Sequence, residues 1–180
     1  MNFKLLIRDD EPQITRLFTE TFTHSEGQEE GELIGHLAKE LAHLIDQKEV
    51  YCFAAVTAQS IQGIIFFSQL DYQTEESVFM LAPVAVHPDF QAQGIGQALI
   101  KYGLSALKNL KVEIAVTYGD PNFYSKVGFS PITEATLQAP MPLSMPPGWL
   151  AQSLKDSTAP IKSLHTKPKC VVPFQNPDYW

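Results

Sequence analysis

Residues 50–70 form a run of membrane-spanning length without one charged side chain, and about 20 apolar residues are what a helix needs to cross a bilayer. The middle of the run, TAQSIQG, is polar and turn-forming, whereas its flanks are rich in Val, Ile and Phe. A helix in lipid has no use for a polar centre, while two strands joined by a hairpin require one. The run therefore predicts strands at 51–58 and 61–70, with a third at 77–86, and no membrane span.

The flanking chain supplies the rest of the pattern. Residues 3–7 read as a strand. Asp9 and Asp10 then offer a cap, with Pro12 in the first turn of a helix ending near Phe22. After the acidic stretch SEGQEEGE, Leu33, Ile34, Leu37, Leu41, Leu44 and Ile45 recur at helical spacing. Ile95, Leu99, Tyr102 and Ala106 share one face of a third helix. Residues 112–118 form a buried strand, and 121–127 a short helix that stops at Gly128. The proline-rich APMPLSMPPG precedes WLAQSL and a last strand near CVVPF. This order predicts an α/β (α+β) fold, one domain over residues 1–180 with a mixed central sheet and helices on both faces.

At 180 residues and 44% hydrophobic, the chain can bury a sizeable core. Its two cysteines make no disulfide framework, and Cys52, in an apolar run, reads as a reduced core thiol. A net charge of -7 argues against nucleic acid and favours cationic partners. The first ten residues, MNFKLLIRDD, lack the features of a signal peptide, so a cytoplasmic location is expected.

Function is written most densely in HPDFQAQGIGQAL, residues 87–99, which leaves a strand and opens a helix. The first free N–H groups of a helix and its positive dipole end make an anion site. Glycines let backbone approach the anion closely. No side-chain charge follows Asp89 in the loop, which fits binding through main-chain amides and a pyrophosphate as the ligand. A Walker loop would need Gly-Lys-Ser/Thr, but Gln97 follows Gly96. A Rossmann fingerprint would need glycine or alanine where Leu99 stands, and an acid at the end of the next strand, where Glu113 is instead at the beginning.

The segment Gln91-Ala92-Gln93-Gly94-Ile95-Gly96 resembles the Q/R-x-x-G-x-G/A signature of the GCN5-related N-acetyltransferase (GNAT) superfamily. Thirty residues on, Tyr124-Ser125-Lys126-Val127-Gly128-Phe129 resembles that superfamily's Y-x-x-x-G-F element, and the element order agrees. PVAVHPDFQAQGIGQALI, GDPNFYSKVGF, IQGIIFFS and KCVVPFQNPDYW are similar to the YhbS-type subgroup, with Ser153 in WLAQSL where the subgroup has an acid. The likeness covers most of residues 3–130; residues 132–180, the acceptor-side loop and terminal strands, follow it loosely.

The resemblance implies an N-acetyltransferase that moves the acetyl group of acetyl-CoA, its co-substrate, to a primary amine in a ternary complex, with no metal. It implies that Val84, Ala85 and Val86 offer backbone groups to the pantetheine arm, next to Pro83, which interrupts a ladder. Gln91, Ala92, Gln93, Gly94, Ile95, Gly96 and Gln97 would cradle the pyrophosphate. Tyr124 is the expected general acid, since a phenol with pKa of about 10 stays protonated at pH 7. Many members have an asparagine seven residues before that tyrosine; Thr117 stands here, with Asn122 as a substitute contact. His87, or one of Glu26, Glu29, Glu30 and Glu32, is a candidate base, and Asp120 a helix cap. Lys101 and Lys126 are weaker candidates near the phosphates; residues 140–148 form the acceptor wall, and Trp149 either stacks there or fills the core, the commoner use of tryptophan. The acceptor would be a small-molecule amine or a protein amino group, and the protein a monomer or homodimer. The alternatives are an acetyl-CoA-binding sensor or partner module without turnover, or an acyltransferase using a longer acyl group or an oxygen acceptor.

Overall fold

The uncharged run 50–70 resolves into strands. The computed structural model, which describes residues 1–58, 60–155 and 160–180, places β1 at Asn2–Leu5, β2 at Val50–Val56, β3 at Ile61–Asp71 and β4 at Val78–Val86. β5 is Ile114–Tyr118, β6 Ser130–Pro131, β7 Trp149–Ser153 and β8 Lys169–Cys170. The turn expected at TAQSIQG includes Gln59, which lies outside the described residues. The helices are α1 Glu11–Glu26, α2 Gln28–Ala42, α3 Ile95–Asn109 and α4 Pro121–Tyr124. Strand order in the sheet is β1-β2-β3-β4-β5-β7-β6, with β8 pairing to β3. β4 and β5 run parallel and β1–β2, β5–β7 and β6–β7 antiparallel, so the sheet is mixed as expected. Among the described residues no helix is long and apolar enough to cross a membrane.

The chain packs as two compact units, Met1–Phe67 with Pro83–Gly103, and Ser68–Ala82 with Leu104–Trp180. In the first, successive β3 residues point to opposite faces. Phe66 meets Phe18 of α1 at 5.8 Å. Gly63, Ile65 and Phe67 turn the other way to α3, where a Cβ on Gly103 would stand 2.6 Å from Phe67 and 2.9 Å from Ile65. Helices thus cover both faces. The apolar face of α3 is rotated from the expected one: Leu99, Ile100 and Gly103 are buried, while Tyr102 stays 38% exposed and stacks on Phe3 at 5.0 Å.

α1 continues past Phe22 to Glu26, and α2 begins two residues later. Gly27 at φ 101 makes that reversal in one residue, a conformation that glycine adopts without strain. Glu29 and Glu30 then sit in the first turn of α2, where carboxylates suit the helix dipole. α2 ends at Ala42, so Leu44 lies beyond it and Ile45 opens a 3-10 turn.

In the second unit β5 is central. It pairs β4 from Val78↔Ile114 to Leu81↔Thr117, and β7 from Ile114↔Ser153 to Tyr118↔Trp149. Trp149 is fully buried, donates its indole N–H to the Leu137 carbonyl at 2.8 Å and packs near Trp180. It is core and not a pocket wall. The expected strand near CVVPF is short: β8 ends at Cys170, and Val172–Gln175 is a 3-10 turn. Pro173 has no N–H to give a ladder, which accounts for the stop.

Candidate functional site

The β4–β5 ladder ends at Leu81↔Thr117. Pro83, two residues on, carries no N–H, so it cannot resume a regular pattern of donors. On its other edge the strand stays tied to β3: the His87 amide donates to the Gln62 carbonyl at 2.9 Å. Gly63 permits this approach, since a Cβ there would stand 3.1 Å from the Ala85 carbonyl oxygen. Val84 and Val86 are half-buried and Ala85 is buried, as alternation along a strand requires.

A 3-10 turn, Pro88–Phe90, follows, and the loop then folds on itself. The Gln91 side-chain amide donates to the Val86 carbonyl at 2.9 Å, and that of Gln93 to the Asp89 carbonyl at 3.3 Å. Both glutamines thus brace the loop. Ala92 and Gly94 have φ of 58 and 78, and an added Cβ on Gly94 would meet no atom within 4 Å. The first turn bond of α3 runs from the Ala98 amide to the Gly94 carbonyl at 3.0 Å. The amides of Ile95, Gly96 and Gln97 therefore stand ahead of the helix's own ladder, above a loop whose residues 91–94 are exposed. Such an end is chemically an anion receptor.

The second unit holds the phenol. Asp120 caps α4 by accepting from the Asn122 amide at 2.9 Å, as expected of it. Gly128 at φ 100 ends the following 3-10 turn. The Tyr124 ring sits edge-on to Phe123 and Phe129, with centroids at 5.1 and 5.9 Å. The Cε2 edge of the ring faces Gly119, where a Cβ would stand 2.7 Å from that carbon. Burial pushes the phenol above its ordinary value; a hydrogen bond with Thr117 works in the other direction, and Asp120 adds to the rise. Tyr124 is therefore a protonated donor at neutral pH. Asn122 is exposed on α4.

The base candidates separate clearly. His87 Nδ1 accepts from the Asp89 amide at 3.3 Å, its Nε2 lies 4.0 Å from Glu20 Oε2, and its ring faces Phe90. It orients the loop and lines an open cleft of about 280 Å³ with Gln13, Arg16 and Ser60. Glu26, Glu29 and Glu32 are exposed, Glu32 accepting from Gln28, and Glu30 is half-buried. Lys101 and Lys126 are exposed on their turns. Among the described residues no group of three or more His, Cys, Asp or Glu side chains could hold a metal ion.

Three contacts escape sequence reasoning. Thr117, fully buried, donates its hydroxyl to the Leu81 carbonyl at 2.9 Å, Gly119 makes room for the Tyr124 ring, and Tyr118 pins the loop 140–148. The Tyr118 hydroxyl accepts from the Met145 amide at 2.6 Å and meets Ser144 Oγ at 3.0 Å. The Gly119 amide donates to the Gly148 carbonyl at 2.9 Å. Only Gly119 carried a signal, a glycine directly before a capping aspartate.

Residues 47–131 match the model of the acetyltransferase (GNAT) domain. The uncharacterized N-acetyltransferase YhbS of Escherichia coli (strain K12) is 37% identical over 68 residues, 37% of this chain and 41% of that protein. The matched stretch thus spans about two fifths of that curated relative's length. The crystal structure of YhbS from Escherichia coli in complex with CoA superposes with a TM-score of 0.75, 22% identity, and coverage of 97% of this chain and 92% of that one. A GNAT family acetyltransferase from Brucella melitensis in complex with acetyl-CoA gives 0.70, 21%, 96% and 97%. The two structures share this chain's fold.

Proposed function

We propose that this chain, whose residues 47–131 match the acetyltransferase (GNAT) domain, transfers the acetyl group of acetyl-CoA to a primary amine. The observation that carries this reading is the run from Val84 to Gln97: a strand past the end of its β5 ladder, feeding a helix N-terminus across Gly94. In this reading residues 1–180 act as one domain.

The amides of residues 93–97 hold the pyrophosphate, and the main chain of Val84, Ala85 and Val86 takes the pantetheine arm as an added strand. Asn122 adds a contact to the cofactor. The neutral amine attacks the thioester carbonyl, and a β4 N–H receives the developing oxyanion. The C–S bond then breaks, and Tyr124 gives its phenolic proton to the departing thiolate, so that CoA leaves as a thiol. The acetylated nitrogen loses its extra proton to a base or to water. Most of the acceleration comes from alignment of the two reactants. The net charge of -7 suits a cationic acceptor, a small amine or a protein amino group, in the cytoplasm.

Calorimetric titration with acetyl-CoA, free CoA and NAD tests the first half. Selective acetyl-CoA binding is expected, and absence of CoA binding removes the reading. An amine panel with free-thiol readout tests the second half. Binding without turnover of any amine would make the chain a CoA sensor, and turnover only with longer acyl-CoA would change the donor.

A further inference from the structure

Residues 135–154 carry no charged side chain. Within that stretch the loop 140–147 spans two fixed points of the second unit. At one, the Tyr72 hydroxyl donates to the Gln138 carbonyl at 2.6 Å. At the other, the Gly119 amide donates to the Gly148 carbonyl at 2.9 Å, and a Cβ on Gly148 would stand 3.0 Å from the Gly119 carbonyl oxygen. The crest between them is tied down by Tyr118, the last β5 residue paired to β7. Its phenolic oxygen accepts from the Met145 amide at 2.6 Å, which leaves the phenolic proton free for Ser144 Oγ at 3.0 Å. The buried Trp180 stacks on the Tyr118 ring with centroids 6.2 Å apart, and its indole N–H donates to the Phe174 carbonyl at 2.9 Å. A braced aromatic ring thus carries the loop. On the crest Met145 is 64% exposed, and Pro142, Pro146 and Pro147 are exposed with it. The root of the loop also adjoins the phenol, because Gly119, bonded to Gly148, abuts the Tyr124 ring.

We propose that Tyr118 is a positioning residue: it holds the crest 141–147 as an apolar wall for the acceptor, and so selects a primary amine carried on an uncharged aliphatic or aromatic body. This deepens the proposed reaction and rests on it for the identity of the acceptor. An amine aligned on a thioester at Tyr124 extends its carbon body along the wall. Scattered exposed apolar side chains need no explanation, but a contiguous apolar crest fixed by a hydroxyl beside the proton donor does. Proline fixes φ along the crest, and the unbranched thioether of methionine adapts to a range of carbon skeletons. A second cation on the acceptor finds no carboxylate in residues 135–154, and it would lose hydration there without gaining a partner. The negative charge of the whole chain draws the amine in, and the wall sorts what the amine carries.

The test uses the full chain and Tyr118→Phe, which removes one oxygen and keeps the ring on Trp180. Isotopically labelled methionine makes the amides of Met80, Met141 and Met145 visible by nuclear magnetic resonance, and Met145 is identified by its loss in Met145→Leu. Met80, paired within the β4–β5 ladder, is the internal control. Exchange of the Met145 amide with solvent is expected to quicken about tenfold in Tyr118→Phe, the size of one hydrogen bond, while Met80 does not change. In turnover, KM for the amine should rise about tenfold with acetyl-CoA affinity retained, the loss falling on KM rather than kcat. Amines of matched carbon length test the wall, with hexylamine and hexamethylenediamine as the simplest pair. The parent is expected to favour the monoamine about tenfold in kcat/KM, a preference that shrinks in Tyr118→Phe. Should Tyr118→Phe fail to fold, the comparison of amines in the parent still decides the wall. A Met145 amide unmoved by loss of the hydroxyl, or a diamine used as well as the monoamine, overturns the proposal. A Met145 amide released in a protein that acetylates no amine upholds the clamp and overturns the reaction instead.

Discussion

Gly119 lies so close to Tyr124 that a Cβ on the glycine would stand 2.7 Å from the ring's Cε2. That distance is shorter than side-chain carbons tolerate, so any larger residue must displace the ring. Gly119→Ala is expected to destabilise the fold by about 1–3 kcal/mol, the usual cost of overpacking. Turnover should fall about tenfold or more as the phenol leaves its place. Thermal unfolding and kcat on the same preparation check this, and a stable, fully active variant would show that the ring's position is immaterial.

Tyr124→Phe keeps the ring and removes the proton. CoA affinity by calorimetry should not change, and kcat should fall by about ten- to a thousandfold, at or just below the range for lost acid catalysis. Full turnover in a folded Tyr124→Phe protein removes Tyr124 from the chemistry.

Gly94→Glu attacks the anion site. An added Cβ meets no neighbour within 4 Å, so bulk is accommodated, but φ of 78 strains any side chain and the carboxylate occupies the place of a phosphate. Loss of CoA binding with retained circular dichroism is the expected outcome. Unchanged affinity would mean that the loop is only a strand-to-helix turn.

The α1–α2 pair depends on glycine for a different reason. A Cβ on Gly31 would stand 2.8 Å from both the Thr19 carbonyl oxygen and the Thr23 amide nitrogen, which are backbone and cannot rotate away. Gly31→Ala gains about 1 kcal/mol in helix propensity. The helices must nevertheless separate, and a net fall in denaturation midpoint is expected; a rise would show that the pair relaxes without cost.

Lys162 Nζ contacts Glu76 Oε1, and its hydrogen bond holds the Glu76 carboxyl down at about 2, against an ordinary 4.5. A carboxyl depressed in the folded state contributes stability that is complete above its unfolded value and lost as pH falls through its folded one. The stability difference between the parent and Lys162→Met should therefore be constant above about pH 5 and fade toward pH 2, and in high salt it should shrink. Lys162 is exposed, so the effect is small. Denaturation curves across that pH range decide it.

Local features were readable in advance wherever one residue sets its own geometry. Pro12, Asp120 and Gly128 mark helix ends through φ, a side-chain acceptor and a missing Cβ. The loop 91–97 announced itself through its glycines and its lack of charge. Helix ends set by neighbours were less legible: α1 overran Phe22 because Gly27, not the acidic stretch, makes the turn. Trp149 could fill a pocket or the core on sequence grounds, and only Leu137 and Trp180 placed it in the core.

From sequence alone came the strand-loop-helix with its exposed amides, the protonatable tyrosine on a capped short helix, and the mixed α/β order. These follow from periodicity, capping and backbone freedom within a few neighbouring residues. Tertiary structure alone decided that the β4–β5 ladder stops at Leu81, and that the buried Thr117 hydroxyl donates to the Leu81 carbonyl. It also decided that Gly119 makes room for the Tyr124 ring. Leu81 and Thr117 are 36 residues apart, and strand register, which no local pattern encodes, determines which buried hydroxyl meets which carbonyl.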